Sequence, residues 1–159
     1  MERRKFLGLG VGALALLAMP KAIFAENYRV KLPDVWKVKN DEKAKEPSLE
    51  GTNEAIKMVF GSNKTEEGKV KLKAPDIAEN GAVVPISFKA EGAKKIAVFQ
   101  TANPEATVAI FDVPEIGIPD YSIRIKLQQT GIVTVVAEID GKLYSANKLV
   151  KVTIGGCGG

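Results

Sequence analysis

Histidine is absent from the 159 residues, and cysteine occurs once, at Cys157. The first absence removes the commonest general base and the commonest metal ligand. A Ser-His-Asp or Cys-His catalytic unit cannot be assembled from this chain alone. The second removes any internal disulfide, so the fold must stand on packing. Long apolar runs are also missing. The stretch Phe6–Met19 holds fourteen apolar or glycine residues, whereas a membrane-spanning helix needs roughly 20. Nor is there an excess of one charge. The formal +4 is concentrated near the start, where Arg3, Arg4, Lys5 and Lys21 stand against Glu2. Taking those from 23 basic and 19 acidic residues leaves 19 and 18, a net of +1. Such a balance gives no reason to expect a nucleic acid or an anionic membrane as partner.

What is present begins with an address. Residues 1–25 combine a charged start, the apolar run, Pro20 and a small-residue end, the pattern of a secretory signal cut after Ala25. Arg3-Arg4-Lys5-Phe6-Leu7 resembles a twin-arginine signal, and the glycine-rich, weakly apolar core agrees with it. An ordinary secretory signal or a retained anchor is the alternative. The expectation is a periplasmic protein, free of the membrane after cleavage.

Residues 26–51 are charge-rich and read as an extended lead-in, followed by a carrier domain over 52–154. In "TNEAIKMVFG", Thr52 is a candidate cap, Ile56, Val59 and Phe60 share one helical face, and Gly61 can end the helix. From Lys69 onward the runs are short and β-rich: "KVKLKA", "VVPISFKA", "KKIAVFQ", "ATVAIFDV", "YSIRIKL", "GIVTVVAEI" and "KLYSANKLVKVTI". Ile123, Ile125 and Leu127 alternate with Ser122, Arg124 and Lys126, the period of a half-buried strand. Asp140-Gly141 is a hairpin signal, and Pro85 suggests an edge strand or a bulge. The fold class expected is mainly β: an antiparallel, immunoglobulin-like sandwich of about seven strands, with a short N-terminal helix and a flexible C-terminal arm.

The arm is Gly155, Gly156, Cys157, Gly158 and Gly159. Glycine loses the most backbone entropy on ordering, so these positions have little reason to pack. From Ile154 to Cys157 the chain extends at most about 10 Å. The flanking glycines have no β-carbon to obstruct a narrow channel. An unperturbed thiol has a pKa of about 8.5, which leaves only about 3% thiolate at pH 7. Nothing in the tail lowers that value. The arm is poorly suited to catalysis and well suited to presenting a sulfur to another protein. An intermolecular disulfide handle on a structural sandwich is the rival reading. A metal site is a poor match, since only carboxylates accompany the thiol.

Taken together, the twin-arginine start, "EAIKMVFG", "LKAPDIAENGAVVPISF", "KKIAVFQTANP", "SIRIKL" and "DGKLYSANKLVKVTIGGCGG" resemble the SoxY family of sulfur carriers over essentially the whole chain. After Asn103-Pro104 the chain departs from the family pattern and reads "EATVAIF". The resemblance implies that Cys157 is the point of covalent sulfur attachment, with the four glycines as a swinging arm. It implies no catalytic residue, no metal and no cofactor on this chain. It also implies partners: a SoxZ-like sandwich subunit in a heterodimer, and a SoxAX-type haem enzyme that couples thiosulfate to the cysteine. A SoxB-type manganese hydrolase would release sulfate, and in some systems a SoxCD-type molybdenum enzyme would oxidise the remaining sulfane.

Overall fold

Strand β5 (Ala93–Gln100) shows how the chain is layered, because both of its faces are buried. Ile96 and Val98 belong to one apolar cluster, while Ala97 and Phe99 belong to another. The same division runs through β8 (Gly131–Ile139), where Val133, Val135 and Ala137 face one way and Val136 the other. A strand that buries both faces must be covered on both sides. Here one cover is a second sheet and the other is a helix with part of the lead-in. The computed structural model describes residues 33–41, 44 and 46–153.

The larger sheet has the order β1-β9-β8-β5-β6, with β1 at Glu66–Glu67, β6 at Thr107–Asp112 and β9 at Lys142–Val152. A two-residue strand β3 (Ile77–Ala78) also pairs with β9. The smaller sheet is β2-β4-β7, from Lys71–Lys73, Val84–Lys89 and Asp120–Ile125. Val84, Ile86, Phe88 and Ile125 point from it into the main core, opposite Ile96, Val98, Val133 and Val135. Three rings close one flank: Phe111 stacks on Tyr121 at 4.7 Å, and Phe88 lies 5.7 Å from each.

The sandwich is therefore as expected, and the seven anticipated runs supply β2 and β4 to β9. Two short strands come in addition. β1 and β3 both run parallel to β9, so the larger sheet is mixed rather than purely antiparallel. Pro85 lies in the middle strand of its sheet, without a bulge on the β7 side. Its tolerance has a local reason. β2 ends with Lys73 opposite Ser87, so the flank beside Pro85 is open.

The helix α1 (Glu50–Phe60) starts two residues before Thr52, with Leu49 at its N-cap. Thr52 is thus inside the helix and buried, not its cap. Ser48 Oγ accepts from the Glu50 N–H at 3.3 Å instead. The opposite end is as anticipated: Gly61 takes φ 78° and its N–H bonds the Lys57 carbonyl. Ile56, Val59 and Phe60 pack with Val38 over Phe99 and Val136. The lead-in contributes a 3-10 helix at Asp34–Lys37 and a bridge between Lys39 and Glu105.

Candidate functional site

The sole thiol and its four glycines, Gly155 to Gly159, lie outside the described residues, as do residues 1–25, where a signal is expected, and Ile154. What the structure describes is the ground on which that segment stands, the end of β9. Val150 is fully buried and paired with Gly131. Beyond it, successive backbone groups are held by other parts of the chain. Lys151 N–H donates to the Asp76 carbonyl at 2.9 Å, and Thr153 N–H to the Ala78 carbonyl at 3.1 Å. On the other flank, Val152 N–H donates to Thr130 Oγ1 at 3.0 Å. Thr153 Oγ1 adds a bond to the Glu79 carbonyl at 3.3 Å. Lys148 ion-pairs with Asp76. Its hydrogen bond and charge hold the Asp76 carboxyl below the ordinary aspartate range. β9 is therefore anchored through Thr153, immediately before the segment that bears Cys157.

The neighbouring turn is built from amides. Gln100 is 1% exposed. Its Oε1 accepts the N–H groups of Ala102 and Asn103, and its Nε2 donates to the Glu105 carbonyl. Asn103 in turn donates to the Lys126 carbonyl at 2.7 Å and accepts from Gln128 N–H at 2.9 Å. Asn40 Nδ2 donates to the carbonyls of Gln100 and Asn103, each at 2.8 Å. One turn is thereby tied to the lead-in, to the end of β7 and to the start of β8. Gly131 allows the approach, because a β-carbon there would meet Ala102 Cβ at 2.7 Å and its backbone nitrogen at 2.9 Å. A polar cleft of about 390 Å³ opens at this end, lined by Asn40, Asp41, Ser48, Gln128, Thr130 and Val152.

Sequence reasoning singled out Cys157 and its glycines, which lie outside the described residues, and missed this scaffold. Asn103-Pro104 reads as a break between strands, and Gln100 and Asn40 read as ordinary polar residues. The only signal was composition: a cluster of Gln, Asn and Thr between two β runs, where amides commonly replace backbone partners. Among the described residues, no three His, Cys, Asp or Glu side chains come together as metal ligands.

The comparisons with known proteins bear on these residues directly. The family model for "Sulfur oxidation protein SoxY" matches residues 56–157, which takes in α1 from Ile56, both sheets, the anchored end of β9 and Cys157. A solved structure, the sulfur carrier protein SoxY from Chlorobium limicola f thiosulfatophilum, aligns at 41% identity and a TM-score of 0.60. It covers 67% of this chain and 100% of its own. A superoxide reductase from Ignicoccus hospitalis aligns at 17% identity and a TM-score of 0.48, over 53% of this chain and 79% of that one. At that level no residue role passes from one protein to the other. No curated protein matches. A match that begins in α1, follows both sheets and ends on the lone cysteine leaves one conclusion: the chain belongs to the SoxY family.

Proposed function

We propose that this protein is a covalent sulfur carrier, holding thiosulfate-derived sulfur on Cys157 and presenting it to separate enzymes. The observation that carries the reading is the family match, which runs to Cys157 and includes the anchored end of β9. The Chlorobium relative at 41% identity is itself named a sulfur carrier. The absence of histidine supports a non-catalytic role, since no base is at hand to activate the thiol. Gly155, Gly156, Gly158 and Gly159 supply the slim, jointed arm.

The chemistry is the one that the resemblance to the Sox proteins implies. The Cys157 thiolate and thiosulfate join through a new S–S bond to give Cys–S–S–SO₃⁻, and the two electrons released pass to a SoxAX-type haem enzyme. Water then attacks the sulfonate sulfur on a SoxB-type manganese hydrolase. Sulfate leaves, and Cys157 retains a persulfide. A SoxCD-type enzyme would oxidise that sulfane where present. A SoxZ-like subunit would complete the heterodimer, and export by the twin-arginine route would place the folded pair in the periplasm.

Intact mass of the protein from cells grown on thiosulfate tests the reading. Adducts of sulfonate or sulfane mass on Cys157, released by reductant, are expected. Cys157→Ser should carry none and still assemble with its partner subunit. Finding only free thiol and disulfide-linked dimer would leave the structural-module reading in its place.

A further inference from the structure

The outer face of the smaller sheet has a charge distribution that its fold does not require. By the period of two, Leu72, Ile86, Phe88, Tyr121, Ile123 and Ile125 turn inward. The opposite set forms cross-strand rows: Lys71, Lys89 and Asp120; Lys73, Ser87 and Ser122; then Pro85 and Arg124. Lys126 continues the outward series beyond β7 and is exposed. In the first row the charges are matched. Lys89 pairs with Glu91 at 2.9 Å and feels Asp120 as well, and Glu91 also feels Lys71. In the later rows they are not. Lys73, Arg124 and Lys126 have no ion-pair partner among the described residues. Lys73 and Arg124 line an open depression of about 530 Å³ together with Pro85, Ser87 and Ser122, and Lys126 lies one outward position beyond Arg124.

The unmatched end is also the end from which the arm leaves. From Lys73 at the end of β2 the chain runs through Pro75 to Asp76, whose carbonyl holds Lys151 of β9. From Arg124 in β7 the chain runs on to Gln128, two residues from the Thr130 hydroxyl that holds Val152. Asp76 lies three positions after Lys73, at most about 11 Å of chain. From Thr153 to Cys157 is four residues, at most about 14 Å. A body resting on this face therefore lies within reach of the thiol. Asp76, three residues after Lys73 in the chain, is already engaged by Lys148, and Glu79 belongs to the turn after β3 rather than to the sheet face.

We infer that Lys73, Arg124 and Lys126 form an electrostatic docking face for the acidic rim of the enzymes that this carrier visits, placed so that a partner seated there has its entrance beside the arm. The inference rests on the carrier reading for the identity of those enzymes. A transient partner fits better than a permanent subunit, because stable interfaces are built around apolar cores. The exposed large hydrophobics are Met58, Ile77, Val83, Ile116, Ile118 and Leu149. Of these, Val83 borders this face, one residue before the Val84 that pairs with Ile125 next to Lys126, and a single valine is too little for such a core. Complementary charge chiefly raises the rate of productive encounter and makes it salt-dependent.

The test uses the full carrier with its partner subunit and the haem enzyme that couples thiosulfate. The triple variant Lys73→Glu, Arg124→Glu, Lys126→Glu is compared with a Gln triple and with Lys89→Glu at the matched end. Two readouts are taken from low to high salt: loading of Cys157, and binding of Cys157→Ser carriers to the immobilised enzyme. The charge reversal should lower kcat/KM at low salt by tenfold or more, with the maximal rate unchanged and the gap closing toward 1 M salt, where screening acts within about 3 Å. The Gln triple should fall between, and Lys89→Glu should stay near wild type. Binding and loading unaltered by the reversal would overturn the docking face while leaving the carrier intact. Salt-dependent binding abolished by the reversal, with no adduct ever formed, would keep the face and sink the carrier reading. Loss of the heterodimer would make the face the subunit interface, and saturable binding of thiosulfate alone would make it a small-anion site. Either would overturn the inference.

Discussion

The two ends of the sandwich are built by different means. At one end β8 turns into β9 through Asp140 and Gly141, at φ 51° and 74°, and Ile139 pairs with Lys142 across them. That end is shaped by local backbone preference, the left-handed pair of a two-residue hairpin. At the other end the strands do not simply turn. Asn40, Asn103 and Thr130 reach across from distant segments, Gln100 pins its own turn, and all four stand in for missing backbone partners. A hairpin is tolerant because its strands carry the pairing. An amide-pinned end depends on each pin, since a buried group that loses its partner costs about 1–3 kcal/mol. Cys157 follows in sequence on the second kind of end, where β9 is held by hydrogen bonds through Thr153.

Several changes would break or sharpen this contrast. The largest effect is expected from Gly131→Val, which puts a side chain where Ala102 already sits. A loss of about 3 kcal/mol should appear in urea unfolding; a midpoint equal to wild type would mean the turn does not wedge against β8. Next is Gln100→Leu, which removes three bonds from a residue 1% exposed. About 2 kcal/mol should be lost, together with hydrogen-exchange protection of the Ala102 and Asn103 amides. At the hairpin end, Gly141→Ala should cost about 1 kcal/mol through its positive φ alone. If it proved worse than Gln100→Leu, the contrast would be reversed. The smallest effect is at the surface. Lys148→Met should raise the Asp76 pKa toward the ordinary value, as followed by NMR titration. The sign follows from the depressed folded value. Any contribution to stability is full above the unfolded pKa and fades as pH falls through the folded one, and salt should weaken it.

The same contrast explains what could be read from the sequence. Everything local was legible: the alternation through Ile123 and Ile125, the Asp140-Gly141 hairpin, the closure of α1 at Gly61. β1 and β3 were not, because two residues carry no period, and their parallel pairing with β9 joins segments about 75 positions apart. The start of α1 misled for a similar reason. Thr52 has the chemistry of a cap, but the helix continues back to Glu50 and buries it. The burial of Gln100 and Asn40 is a property of three segments meeting, and nothing in either residue's neighbours announces it. Cys157 was legible by its isolation, and its role remains tied to the family resemblance rather than to described geometry.

The parallel pairing of β3 with the end of β9 also has a mechanical consequence. A pull on the chain beyond Thr153, along the strand, meets the bonds to Asp76, Ala78 and Thr130 side by side instead of one after another. Load applied in shear is shared among them, whereas a peeling geometry would break each in turn. A load on the chain beyond Thr153 therefore meets its first resistance at the strand's tip, ahead of the long β8–β9 ladder.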